Sequence, residues 1–299
     1  MRFCKVFSKF QKMFAAAKLV APLVALAWPV AVPALAQDVQ VDTALIVSVD
    51  VSNSVDSERY TLQMEGIAKA LEDPSVIEAI ISGPNGGILF SMMTWADRPA
   101  FTLPWIKISS KADALAAAAK VRKLPLVGGE FTCMTRMLRS ANDKVVPQIP
   151  AKALRVVIDV SGDGPDNCNA EEPIETVRDE LVANGVTING LPILLGADAG
   201  GAAGAVVPNA ADKAAAKAAA DPNGLEEWYR THVQAGNGSF VLPADGYGDF
   251  ARAIRQKFVI EISGITPPQK FARRPLENRF VTLEGDAEVA ETVAPAKLN

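Results

Sequence analysis

Histidine is almost missing from this chain and cysteine is scarce: His232 stands alone, and Cys4, Cys133 and Cys168 are the only thiols in 299 residues. One imidazole without a neighbouring thiol cannot make a zinc spacing, and no Ser/His/Asp or Cys/His arrangement exists for nucleophilic catalysis. His232 therefore reads as an ordinary surface or packing residue. Positive charge is in the minority as well, with 30 Lys and Arg against 34 Asp and Glu, which argues against a nucleic-acid binder.

A long apolar run occurs once, near the start. Residues 1–36 open with Arg2, Lys5, Lys9, Lys12 and Lys18, contain no acid, continue through "LVAPLVALAWPVAVPAL" and end in "ALAQ". This is the pattern of an export signal cleaved after Ala36. As a membrane span the run is short and is interrupted by Pro22, Pro29 and Pro33, and Gln37 stands where a lipid-anchored protein would need cysteine. The expectation is a periplasmic or secreted protein without stable membrane insertion. Cleavage would remove five basic residues and no acidic one, leaving a formal charge of −9. Of the thiols, Cys133 and Cys168 would remain, either buried and unpaired or bridged in an oxidising compartment.

The remaining length, about 260 residues, suits one large α/β domain or two small ones. Thr43 to Val51 is an apolar run of strand length, the sign of a strand buried on both faces. Tyr60, Met64, Ile67 and Leu71 then form one helical stripe. "GGILFSMMTW" and "AFTLPWIKI" read as a hairpin turning at Asp97 to Pro99, and "KADALAAAAKVRKL" as a helix. "FTCMTRMLRSANDKVV" is a helix with Met134, Leu138, Ala141 and Val145 on one face. "LRVVIDVSG" is a second apolar strand, followed by the helix "EEPIETVRDELVANG", which ends at Gly185. "VTINGLPIL" and "GSFVLPA" supply two more strands, with "GLEEWYRTHVQ" between them and "DFARAIRQKFVIEI" as the closing helix.

Alternation of strands and helices implies right-handed crossovers and a doubly wound α/β domain over residues 37–264, with a mainly parallel sheet and helices on both faces. Residues 196–224 are an Ala/Gly-rich insertion without an apolar stripe, and residues 265–299 form a tail without a core-forming period.

In such a sheet, ligands bind beyond the C-terminal strand ends where the connections change direction. "DVSNSVDS" sits at that end of the first strand, so Asp50, Ser52 and Ser54 present small oxygen donors at alternate positions. Asp163 occupies the matching end of "LRVVIDVSG", and Thr132 lies at the start of a helix. Hard divalent cations such as Mg²⁺ select oxygen ligands of this kind, and an ion would remove the repulsion between Asp50 and Asp163. The alternative for Ser54 and Asp56 is helix capping. Asp166, Asn167 and Asn169 read as turn residues, while Trp95, Trp105, Trp228 and Tyr229 read as core anchors.

Asp50-x-Ser52-x-Ser54, then Thr132, then Asp163-Gly164, in this order, resemble the metal-ion-dependent adhesion site of von Willebrand factor A domains. The resemblance spans Thr43 to about Ile262. It implies a six-stranded sheet with Ala100 to Ile108 as its antiparallel edge, and Mg²⁺ or Mn²⁺ held directly or through water by Asp50, Ser52, Ser54, Thr132 and Asp163. It implies binding of a partner protein's carboxylate rather than turnover. With the two metal loops meeting at one ion, Cys133 and Cys168 are expected to form a disulfide bracing them. The chain departs from the family's usual pattern at Phe131, where a small residue is commoner, and at Gly162, where Ser or Thr often precedes the aspartate.

Two other readings remain. "GDGPDN" resembles the Gly-Asp-Gly-x-Asn-Asp motif of Mg²⁺-dependent haloacid-dehalogenase-type phosphatases, but the general acid that family needs two residues after its nucleophile is Ser52 here. The other is a metal-free scaffold presenting its loops or tail in a periplasmic complex.

Overall fold

The computed structural model describes residues 40–168, 170–197 and 224–265. Residues 1–36, read as an export signal, nearly all of the Ala/Gly-rich insertion and of the tail, and Asn169 lie outside them.

Strand β1 (Gln40–Asp50) is buried after its first residue. Asp56 then caps α1 (Ser57–Glu72), accepting a hydrogen bond from Arg59 N at 2.8 Å, and Tyr60, Met64, Ile67 and Leu71 form its buried stripe. Helix α2 (Pro74–Ile81) adds to the elements read from the sequence. Its signal is a short one, Asp73 as cap followed by Pro74 in the first turn, with Val76, Ile77 and Ile80 buried.

Next come β2 (Ile88–Trp95), the edge strand β3 (Ala100–Ile108) and α3 (Lys111–Val121). Helix α4 (Met134–Ser140) continues through a wider turn at Ala141–Val145 and a tighter one at Val146–Gln148, and its expected stripe of Met134, Leu138, Ala141 and Val145 is fully buried. β4 (Lys152–Gly162), α5 (Ile174–Ala183) and β5 (Val186–Pro192) follow. Helix α6 (Leu225–Trp228) runs on into Tyr229–Val233, and α7 (Phe250–Ser263) closes the domain.

The sheet has five strands in the order β3-β2-β1-β4-β5, all parallel except β3, as expected for the edge. The segment read as a sixth strand runs beside β5 but pairs only at the parallel bridges Gly190 to Val241 and Ile193 to Ala244. The interruption has two causes: Pro192 has no N–H to give to Leu242 O, although its own carbonyl accepts from Ala244 N at 3.0 Å, and the Asn189 side chain accepts from Phe240 N at 3.0 Å.

Helices cover both faces, as β1 shows: Leu45, Val47 and Val49 pack toward α1, α2, α3 and α7, while Ile46 packs toward α4, α5 and α6. Because β1 joins β2 on one side and β4 on the other, the chain changes direction between β1 and β4. The register pairs Val49 with Ser161 and Asp50 with Trp95. Asp50, Asp97 and Asp163 thus all fall at the same end of the sheet.

A charged group lies under α7. Lys257 Nζ is 3.4 Å from Asp159 and 3.1 Å from Glu261, donates to Gly190 O at 3.3 Å and sits 4.3 Å over the Phe240 ring, with all three charged side chains buried. Burial, then the charge of Glu261, pushes the Asp159 carboxyl well above its ordinary range despite the lysine.

Removing the one cation from this group should be costly. Lys257→Met should destabilise the fold by about 3–5 kcal/mol in urea denaturation. An acid whose folded pKa is raised holds its proton in the folded state and releases it on unfolding, so stability falls as pH rises above the unfolded pKa. The variant's stability should therefore fall more steeply than the wild type's as pH rises above the ordinary carboxylate range; parallel profiles would show that Asp159 does not feel the lysine.

Candidate metal centre

The first loop takes its shape from Asp50. The ladder extends one residue past β1, with Val51 N donating to Trp95 O at 2.9 Å. Asp50 Oδ1 then accepts from Ser52 N at 2.8 Å, a local turn that brings the alternate hydroxyls to one side. Asp56 takes the cap of α1, so Ser54 does not cap the helix and bonds elsewhere.

The five expected oxygen donors come together. Thr132 Oγ1 donates to Ser52 Oγ at 3.2 Å, Ser52 and Ser54 hydroxyls are 3.2 Å apart, and Ser54 Oγ donates to Asp163 Oδ1 at 2.7 Å. Asp50 is fully buried, and its Oδ2 has no hydrogen-bond partner. Burial pushes its carboxyl up to about 7, and the nearby Asp163 charge adds to the shift.

Several residues that the sequence did not single out hold this group in place. Tyr247 OH donates to Asp163 Oδ2 at 3.0 Å. Arg59 donates to Ser54 O at 2.6 Å, lies 3.9 Å from Asp163 Oδ2 and stacks 5.1 Å over the Tyr247 ring. Neither residue carried a sequence signal, since one lies inside an amphipathic helix and the other 84 residues from its partner.

Asp97, read as the start of a hairpin turn, also fixes the threonine loop, accepting from Glu130 N and Phe131 N at 2.9 Å each. A Cβ on Gly129 would lie 2.5 Å from Asp97 Oδ2, which accounts for the glycine there. Its position just beyond a central strand, at the same end of the sheet as Asp50, was the available clue.

The threonine and aspartate loops are joined to each other. Asn167 Oδ1 accepts from Thr132 N at 2.8 Å, Asn167 N donates to Thr132 O at 3.1 Å, and Asp166 accepts from the Thr135 hydroxyl at the start of α4. Asp166 and Asn167, read as turn residues, are thus cross-links between loops. Cys133 and Cys168 are bridged, with Cα atoms 5.1 Å apart.

Gly162 is explained by its surroundings. A Cβ there would lie 2.9 Å from Tyr229 OH, 3.0 Å from Asp50 Oδ2 and 3.2 Å from Asp50 Cβ. Tyr229 is a core anchor as read, but its buried hydroxyl has no hydrogen-bond partner and points to the same place as the unpaired oxygen of Asp50. His232 contacts Glu175, in the first turn of α5, at 2.5 Å.

A hard cation fits these residues. Two carboxylates and three hydroxyls form an all-oxygen set, and a buried carboxylate oxygen without a partner is what a cation would satisfy. Among the described residues no group of three or more His, Cys, Asp and Glu could hold a metal ion, so any site here depends on its hydroxyls.

The fold is that of a von Willebrand factor A-like α/β domain. Residues 40–266 match the family model described as "Protein of unknown function (DUF1194)", and the chain belongs to that family. No curated protein matches it. Among solved structures it is similar to proximal thread matrix protein 1 from the mussel byssus, with a TM-score of 0.50, 17% identity, and coverage of 76% of this chain and 49% of that one. A structure of the same mussel protein with a zinc-occupied MIDAS motif gives 0.48, 18%, 76% and 49%. A von Willebrand factor type A protein from Catenulispora acidiphila gives 0.48, 14%, 74% and 43%. The chain thus spans about half or less of each of these structures, and the likeness is one of fold.

Gly162→Ala should destabilise the protein by about 1–3 kcal/mol through overpacking. Tyr229→Phe removes one of the three close atoms, so the double variant should lose less than the sum of the single losses in a denaturation cycle. Strict additivity would place the strain elsewhere.

Proposed function

We propose that Asp50, Ser52, Ser54, Thr132 and Asp163 hold a divalent cation, Mg²⁺ or Mn²⁺, directly or through water, and that the domain uses it to bind an acidic side chain of a partner protein. The observation that carries this reading is the fully buried Asp50 carboxylate, whose Oδ2 has no hydrogen-bond partner, in a group of two carboxylates and three hydroxyls joined by hydrogen bonds. The cation would supply the positive charge that makes the juxtaposition of Asp50 and Asp163 favourable.

The chain's own residues do the rest. Asp50 is set by the sheet and by its bond to Ser52 N, Tyr247 orients Asp163, and Asn167 holds Thr132. The reading is of binding and not turnover: the acid that a phosphotransferase needs two residues after Asp50 is replaced by Ser52, whose hydroxyl is engaged with Thr132 and Ser54. Export is part of the proposal, supported by the leader-like residues 1–36 and by the Cys133–Cys168 bridge, a bond that persists in oxidising compartments. No helix among the described residues is long and apolar enough to cross a membrane.

Thermal unfolding of residues 37–299 with EDTA or with Mg²⁺ tests the reading. Metal at ~100 times its dissociation constant should add about 2.7 kcal/mol of stability to the wild type. Asp50→Asn should abolish that gain and yet leave the EDTA-treated protein no less stable than the wild type, because the carboxylate it removes is buried and unpaired. An equal metal response in wild type and variant would refute the assignment.

A further inference from the structure

We propose that the surface beside the metal centre recognises a partner segment in which a bulky apolar side chain adjoins the acidic one. This rests on the metal-dependent reading above and names the kind of partner that it takes. Leu126, Val127 and Phe131 are 37%, 67% and 48% exposed and lie on one short loop, whereas the other exposed large apolar residues among the described ones, Leu62, Ile81, Leu115, Leu154 and Ile265, are scattered over separate elements.

This loop crosses the first metal loop. Gly129 N donates to Val51 O at 3.3 Å, and a Cβ on Gly128 would be 3.2 Å from the same oxygen. Val127 is next to that crossing, and Phe131 is next to Thr132. The loop is fastened at both ends: Tyr60 OH donates to Leu124 O at 3.0 Å and Pro125 O at 3.1 Å, and Asp97 accepts from Glu130 N and Phe131 N. The apolar side chains are therefore presented on a fixed backbone, which lowers the ordering cost of binding.

Charge selects the other half of the ligand. With a divalent ion offsetting Asp50 and Asp163, the guanidinium of Arg59, 3.9 Å from Asp163, leaves the centre net positive and complementary to a carboxylate. Exposed Glu130, lying between Val127 and Phe131 in the chain, disfavours a second acid beside the first. The recognised pattern is one acid with an apolar neighbour.

The test is selection from a displayed peptide library with one fixed central Glu and randomised flanks, using the purified protein in Mg²⁺. Selected peptides should carry Leu, Ile, Phe or Met next to the Glu, and should lose binding in EDTA and on Glu-to-Gln replacement in the peptide. Val127→Ser and Phe131→Ser should each weaken the selected peptide about tenfold, or ~1.4 kcal/mol, with the Mg²⁺-induced thermal shift unchanged. Peptides that bind through Glu with no apolar preference, or that ignore both substitutions, would overturn the apolar recognition and leave the metal reading standing. A normal Mg²⁺ shift with no Glu-dependent binder would overturn the carboxylate partner and this proposal together, and an absent shift would overturn the metal centre itself.

Discussion

Asp50 ends a strand that is buried along nearly its whole length, and it carries a carboxylate into that burial with one oxygen unpaired. An isolated buried carboxylate is costly, so its neutral form is favoured and its pKa rises to about 7. The surrounding loops can be understood from this constraint. Each brings an oxygen or a brace to the same end of the sheet, and Gly162 keeps the neighbouring strand end free of a side chain that would press on the carboxylate and on Tyr229. The parallel register of β1 with β2 and β4 makes the convergence geometrically necessary, because residues at corresponding strand ends must lie side by side.

The donors differ in what holds them. Asp50 and Ser52 are fixed by the sheet and its immediate turn, whereas Thr132 and Asp163 come from loops that need their own supports. Those supports are mutual: Asn167 bonds Thr132, Asp166 bonds Thr135, and the Cys133–Cys168 bridge ties the same two segments covalently. The threonine and aspartate loops are therefore mechanically one body. Asp97 fastens that body to the end of β2.

The fold could be read from the sequence because its signals are local. Apolar runs gave the two central strands, and a change to helical period after Val55 gave α1; the Asp-x-Ser-x-Ser spacing is local too, being set by one turn. The sheet's sixth strand was read from "GSFVLPA" by composition, but Pro192, which has no N–H to give, and the Asn189 side chain break its ladder from the neighbouring strand, and both effects are tertiary. The braces were illegible for a related reason. Arg59 and Tyr247 look like members of ordinary helical or turn segments, and only the folded chain shows that they meet over Asp163. Asp166 and Asn167 have turn chemistry whether or not they also join loops. Local sequence thus indicates the donors, and long-range contacts decide how they are held.

The same distinction bears on how the site connects to the rest of the domain. Tyr247 lies in the turn leading into α7, the helix that carries Lys257 and Glu261 beneath the sheet. Asp163 is thus oriented by the element whose own seat depends on a buried lysine between two acids. A buried ionic group of this kind adds little net stability compared with apolar packing, but a displaced helix would leave its charges unpaired. Its effect is to fix where α7 sits, and with it the hydroxyl that holds the second oxygen of Asp163. Position, more than stability, is what a centre made of weakly held hydroxyls requires, because three of its five donors are neutral and orient only as well as their supports allow.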